Sequence, residues 1–218
     1  DTVKMALLAR ERLFTVAKEE DIQFDLEKRG ILHFYHTKLD YEVATKTNAL
    51  LREGGLERNP VTPEEIKSIE PSLTGEYYGG FYCPGDATGD IHKFTTGLAK
   101  ASEKYGVKYL FGMEVSDVQH HAKGVTVLYH ASNENVLLNT ATVESLEADA
   151  IVVCAGVGSY HLANLLGDRV NIYPVKGYSI TLNLNDQDSV KHAPWVSLLD
   201  ESAKIVTSRL GTDRLRVA

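Results

Sequence analysis

The sequence predicts an α/β fold in which βα units are joined to a mixed, largely antiparallel sheet with helices. Three observations carry this. Residues 150–155 (AIVVCA) form a continuous apolar run, closed by Gly156-Val157-Gly158 and followed by a leucine stripe at Leu162, Leu165 and Leu166. That is the order buried strand, tight turn, helix. Ile91, Phe94, Leu98, Ala101 and Tyr105 keep helical spacing and lead through Gly106 into an apolar stretch at 107–111, a strand reached directly from a helix. Short alternating segments at 115–120 and 124–130, and around Ile180, Val196, Ile205 and Leu215, read as further strands, the first two as a hairpin.

Taken in order, Val3, Ala6, Leu7, Leu13, Phe14 and Ala17 place one apolar stripe on a first helix. Residues 30–36 (GILHFYH) are a strand rich in aromatic and β-branched residues. Residues 40–52 are helical, with Val43, Leu50 and Leu51 as the apolar set and Gly54-Gly55 as the stop. Thr62-Pro63-Glu64-Glu65 is a capping box with proline at the first helical position, opening a short helix that closes before Pro71. Residues 76–83 (EYYGGFYC) are a strand whose glycine pair marks a bulge or a close backbone approach. Asp90 caps the helix that starts at Ile91, and Gly106 ends it. A third strand after the hairpin is expected at 135–138, and Ser159 is expected to cap the helix after the glycine turn.

Length and charge narrow the functional classes. The 218 residues suffice for one sizeable core or two small lobes. A net charge of −7 without a basic stripe argues against a nucleic-acid partner. No apolar run approaches the ~20 residues of a membrane span, and the first residues do not read as a signal peptide. Cys83 and Cys154 lie in unrelated contexts, so no disulfide framework is expected and a reducing compartment is favoured. Cys154 reads as a small buried apolar residue. The chain begins inside a helical pattern and stops inside a strand pattern, and is expected to be a piece of a longer one.

Few residues carry chemistry unaided. Glycines at a strand-to-helix turn let backbone amides approach a ligand. Here the spacing is Gly156-x-Gly158-x-x-His161, without the third glycine of a dinucleotide loop and without a later acid for a ribose. Alone, the turn is architecture more readily than a ligand loop. His33 and His36 fall on opposite faces of a strand, which spoils a shared metal site. His120 and His121 belong to a solvated turn. Asp86, Asp90 and His92 would suit a hard cation, but helix capping explains the aspartates with fewer assumptions, and no metal site is expected. There is no Ser-His-Asp or Walker spacing.

Residues 151–159 (IVVCAGVGS) followed by Pro174-Val175-Lys176-Gly177-Tyr178 resemble the D-amino-acid oxidase superfamily of flavoproteins. The wider order GD…FTxxLA…GV…V…AG…PVKGYSIT, from about Phe24 onward, is most similar to its bacterial D-amino-acid dehydrogenases. The resemblance implies FAD as cofactor and oxidation of a D-amino acid to an imino acid by hydride transfer from Cα, with hydrolysis to a 2-oxo acid and ammonia. Glycine, sarcosine, proline or a 2-hydroxy acid are the alternative substrates within the superfamily, and a non-catalytic α/β binding module is the alternative outside it. It implies a flavin-binding strand at Ala155 and Gly156, adenosine-side contact through the backbone of Val115, cofactor contact at Gly177, and Lys176 and Tyr78 as catalytic candidates. Tyr35 and Tyr77 would line the substrate pocket with Tyr78. Arg209 could pair a carboxylate, though an exposed strand-end role is the simpler expectation. The family's GxGxxG unit would precede Asp1, and its substrate-clamping arginine segment would follow Ala218. Residues 1–85 and 173–218 would then belong to the substrate lobe, and 86–172 to an FAD/NAD(P)-binding-type lobe lacking its first βαβ unit. A chain so reduced is expected to bind FAD poorly and to be inactive alone. The resemblance also implies an electron acceptor such as a quinone or respiratory chain, and a cytoplasmic site, peripheral on the inner face of the bacterial membrane.

Overall fold

The structure is a computed structural model that describes residues 1–132 and 142–218; the strand expected at 135–138 lies outside the described residues. The elements are α1 (Thr2–Glu19), β1 (Ile31–Tyr35), α2 (Lys38–Glu53), β2 (Asn59–Val61), α3 (Pro63–Ile69), β3 (Gly79–Cys83), α4 (Ile91–Ser102), β4 (Met113–His121), β5 (Gly124–Ala131), β6 (Glu144–Ala148), α5 (Ser159–Leu165), β7 (Ile180–Asn183), α6 (Gln187–His192), β8 (Ser197–Asp200), β9 (Ile205–Leu210) and β10 (Arg214–Val217). They fall into two compact units, 1–106 with 177–218, and 107–176. The fold is α/β, with a mixed sheet and a smaller antiparallel one.

The first unit is built on a seven-stranded sheet in the order β2-β3-β1-β8-β9-β10-β7. Its β1–β8 pair is parallel and the other pairs are antiparallel. Alternation along β1 sends Leu32 and Phe34 to one face, where they pack with Ile66 of α3 and with Val196 and Leu198. Tyr35 turns to the other face, against Ala44 of α2 and Phe81 of β3. Each fully buried aliphatic or aromatic side chain here contributes about 1.5–3 kcal/mol. A separate cluster of Ala17, Ile22, Phe24 and Phe94 joins α1 to α4.

Polar clamps join these layers. The capping box at Thr62 and Glu65 forms as the sequence predicts. Beyond the end of α3, the buried carboxylate of Glu70 accepts the backbone N–H groups of Trp195 at 2.8 Å, Val196 at 3.0 Å and Ser72 at 3.1 Å. It thereby fixes the entry to β8 from a distant stretch of chain. Asp90 caps α4 through the N–H groups of His92 and Lys93. Its other oxygen accepts Arg214 Nη2 at 2.9 Å, and the same nitrogen reaches Asp25. The glycine pair of β3 marks a close approach and not a bulge: the β1–β3 register is regular, and a Cβ at Gly80 would sit 2.5 Å from the His33 carbonyl oxygen.

The second unit carries β4-β5-β6, with a bulge in β4 between Val115 and Asp117. Val118, Val125 and Ala163 are its buried apolar residues, and α5 packs against β4.

Several expectations fail here. Residues 107–111 form no strand; Tyr109 and Phe111 stack on each other and Phe111 is largely exposed. The run at 151–155 also forms no strand, Val152 is 85% exposed and Cys154 is on the surface. Both segments have strand composition, but a strand needs ladder neighbours, and none among the described strands adjoins them. The leucine stripe of α5 is correspondingly open: Leu165 is exposed and Ala163 is the buried residue. Ser159 is not the cap; its hydroxyl instead accepts the N–H of Ala155 at 2.9 Å. In α2, Val43 and Leu50 are exposed while Ala44 and Asn48 are buried. The strand after Pro174 begins at Ile180. Strand β6 and helix α6 have no counterpart in the sequence reading.

Arg209 is fully buried, not exposed. Three carbonyls, of Val190, Ala193 and Thr212, accept its guanidinium N–H groups, and the group lies 3.9 Å from the Trp195 ring. Neutral acceptors and an indole face hold it where a carboxylate was considered.

Candidate functional site

In the first unit, the helix-covered face of β1 and β3 opens beside α2 into a cleft of about 730 Å³. Asp40, Val43, Ala44, Thr47 and Leu51 of α2 line its helix side. Alternation places His33 and Tyr35 of β1 on this side, and Cys83 of β3 lines it too.

Arg58, just before β2, is the central group. It is 4% exposed. Its Nη2 donates to Tyr35 Oη at 3.2 Å and its Nη1 to Asn48 Oδ1 at 3.4 Å. The guanidinium carbon lies 4.4 Å from the Phe81 ring centroid, a cation–π contact. Among the described residues no carboxylate lies within ion-pair distance of it. Three acids line the wall: Asp86 pairs with Arg10 at 2.6 Å, Glu201 with Lys204 at 3.1 Å and the His33 ring at 3.4 Å, and Asp40 accepts the Thr37 hydroxyl at 2.6 Å.

The cleft shifts its titratable groups in ways that follow from this layout. Burial raises the Tyr35 phenol, against the opposing effect of the Arg58 hydrogen bond. Burial, then the positive charge of Arg58, depresses His33, with Glu201 opposing. The Cys83 thiol is pushed up to about 11, first by burial and then by Asp86, with Arg58 opposing. Cys83 is therefore a protonated, unreactive thiol at neutral pH. The cleft offers a fixed cation with hydrogen-bond donors.

The residues singled out in the sequence are distributed as follows. Tyr35 lines the cleft. Tyr77 packs into the Leu32 core, its ring 4.9 Å from Phe34. Tyr78 is 45% exposed beside Tyr41 and lines a separate hollow on the outer side of α2. Val115 lies on β4 of the second unit, paired with Tyr129 at the bulge. Ala155 and Gly156 form an open turn; Gly156 has φ +56, and a Cβ there or at Gly177 would meet nothing within 4 Å. Lys176 is exposed and ends the second unit, and Gly177 opens the return to the first.

Open, small residues at a positive-φ turn fit the part of a flavin site where backbone passes close to a flat ring system. They do not fit its pyrophosphate part: α5 has seven residues and no side-chain cap. Arg58 and Asn48 were missed in the sequence because neither stands in a motif. Arg58 precedes a proline-containing edge strand, where a cation reads as solvated.

A family profile, DAO (FAD dependent oxidoreductase), matches residues 1–218. D-amino acid dehydrogenase 3 of Mesorhizobium japonicum is 48% identical over 219 residues, covering 100% of this chain and 51% of that protein. D-amino acid dehydrogenase of Paramagnetospirillum magneticum is 37% identical over 220 residues, 100% of this chain and 49% of that protein. The chain thus spans about half the length of the curated relatives it matches. Among solved structures, glycine oxidase from Geobacillus kaustophilus superposes with a TM-score of 0.79 at 20% identity, over 97% of this chain and 54% of that one. L-proline dehydrogenase from P. horikoshii gives 0.73 at 16%, over 95% and 53%. At such identities the structural likeness is one of fold.

Proposed function

Because this chain belongs to the DAO family of FAD-dependent oxidoreductases, we propose that the full-length protein is a D-amino-acid dehydrogenase, converting D-amino acids to 2-oxo acids and ammonia. The observation that carries this reading is the 48% identity, along the whole chain, to a protein named D-amino acid dehydrogenase 3. FAD is the cofactor of the full-length enzyme and, when bound, would supply the acceptor for the hydride, which carries both electrons from the substrate Cα.

Within this reading, Ala155, Gly156 and Gly177 supply backbone that a planar cofactor can approach closely, and Val115 contributes through its main chain. Their small size and the open space at both glycines support the assignment. Lys176 supplies a positive charge to the reaction, and Tyr78 orients the substrate through its phenol. A quinone or respiratory-chain component takes up the electrons, with the enzyme peripheral on the inner face of the membrane. No helix among the described residues is long and apolar enough to cross a membrane.

The test is made on the purified full-length protein. Flavin absorbance together with dye reduction by D-alanine, and none by L-alanine, is the expected result. A colourless protein overturns the flavin assignment. Colour with turnover of glycine, sarcosine or proline, and not of D-alanine, keeps the family and replaces the substrate.

A further inference from the structure

We propose that the outer face of α2 is a homodimer interface, in which two copies of the helix pack antiparallel about a two-fold axis. The inference rests on an inversion of the polarity expected of a surface helix. Such a helix ordinarily turns its large apolar side chains inward. Here the residues that α2 buries are Ala44 and Asn48, whereas Leu39, Val43 and Leu50 are 70%, 58% and 67% exposed. At about 100° per residue these three fall within roughly 40° of one another around the helix axis and span about 17 Å along it. They form one stripe, not scattered exposures. Val43 also borders the cleft, and Tyr78, half-exposed, widens the stripe across the hollow that it shares with Leu39, Val43 and Lys46.

The charges beside the stripe select a second copy of the same helix. Glu42 and Lys46 lie one turn apart on one flank of it, and both are exposed. A two-fold axis crossing the stripe midway between Leu39 and Leu50 sets each of these leucines against the other one in the second copy. It also brings Glu42 beside Lys46 of the partner subunit and, by symmetry, Lys46 beside Glu42 of the partner subunit. On the other flank Asp40 comes opposite a threonine, so no like charges meet. Both groups are available for this pairing. Lys46 makes no ion pair among the described residues, and Glu42 makes only a 3.7 Å contact with the exposed Lys38.

The size of the patch sets the strength expected. A standard interface draws about 800 Å² from each partner. One helix stripe with its flanking tyrosine is smaller, so the dimer should be reversible, with a dissociation constant of about 1–100 µM.

The competing occupant is a segment of the full-length protein folded back onto α2. The two are separated by sedimentation velocity of the full-length protein between about 1 and 100 µM. A monomer–dimer equilibrium that shifts with concentration is expected. Leu39→Glu should abolish the dimer over that range and leave the melting temperature of the dilute monomer unchanged. Glu42→Lys and Lys46→Glu, made singly, each set two like-charge contacts across the axis and should raise the dissociation constant about 10-fold. The double variant exchanges the two signs and should return to within about threefold of the wild type.

A full-length protein that stays monomeric at about 100 µM overturns the proposal, as does a dimer that tolerates Leu39→Glu. A monomer whose melting temperature falls with Leu39→Glu overturns it in favour of cover from within the same chain. A double variant that dimerises no better than the single ones overturns the antiparallel two-fold arrangement. Should Leu39→Glu fail to fold, the charge-exchange set decides alone.

Discussion

Glu70 offers the sharpest test of how the first unit is held together. Its carboxylate is 4% exposed and accepts three backbone N–H groups, two of them from Trp195 and Val196, more than a hundred residues away in sequence. Glu70→Ala orphans all three. Ser72 lies near the end of α3, where water can replace the lost acceptor, but Val196 N is buried and Trp195 N partly so. An unsatisfied buried N–H costs about 1–3 kcal/mol, so two give roughly 2–6 kcal/mol. Release of the desolvated carboxylate returns part of this, which centres the expected loss near 3 kcal/mol. Glu70→Gln keeps one oxygen for Trp195 and Val196 but turns its NH₂ toward the Ser72 N–H, and should cost about 1 kcal/mol. Urea denaturation gives the totals, and hydrogen exchange at the Val196 amide gives the local effect, which should rise steeply in the alanine variant. A Glu70→Ala protein within about 1 kcal/mol of wild type, with Val196 still protected, refutes the clamp.

Three further outcomes follow from the geometry. Gly80→Ala places a Cβ 2.5 Å from the backbone oxygen of His33, so β1 and β3 must separate; a cost of about 1–3 kcal/mol is expected in thermal melts, and an unchanged melting curve refutes the close approach. Burial alone would raise the carboxyl pKa of Asp90, but the hydrogen bond from Arg214 and those from the Lys93 and His92 N–H groups outweigh it and hold it below the ordinary range. A depressed carboxylate stabilises the fold above its unfolded value and loses that effect as pH falls through the folded one. Arg214→Met should therefore cost about 1 kcal/mol at neutral pH, with the gap to wild type closing below about pH 4 in urea midpoints; a gap independent of pH sinks this assignment. Titrated with FAD, the 218-residue chain alone should show no tight binding, since no pyrophosphate loop is present in its sequence; micromolar or better affinity refutes that.

What could be read in advance divides along a physical line. Elements announced by local chemistry were legible: the capping box at Thr62 and Glu65, the Asp90 cap, the left-handed Gly106 that closes the 3-10 turn 103–105 following α4, and the hairpin around the 122–123 turn each depend on residues a few positions apart. The β3 glycine pair was legible as a constraint, though only the paired β1 backbone shows that it is an approach and not a bulge. Segments whose state depends on distant neighbours were misread. Residues 151–155 have the composition of a doubly covered strand, and composition cannot supply the adjacent strands that a ladder needs. Strand β6 was missed for the converse reason: ESLEA carries little β-propensity, and its pairing with β5 defines it.

The same division explains why the charged residues were the least legible. Lysine and arginine are exposed so often that burial is never the economical expectation from sequence, and both Arg58 and Arg209 defeat it. What separates them is the partner list. Arg209 meets three carbonyl oxygens and an indole face, and its buried Nε has no hydrogen-bond partner among the described residues. Arg58 meets a phenol, an amide oxygen and the Phe81 ring face beside an open cleft. Two buried arginines in one unit thus differ in how many acceptors truncation would leave without a donor. Arg209→Met removes the donor of three carbonyls, whereas Arg58→Met removes that of the Asn48 amide oxygen and the Tyr35 hydroxyl. Both should therefore lower the melting temperature, Arg209→Met by the larger amount, and an Arg58→Met protein that melts below Arg209→Met refutes this ordering.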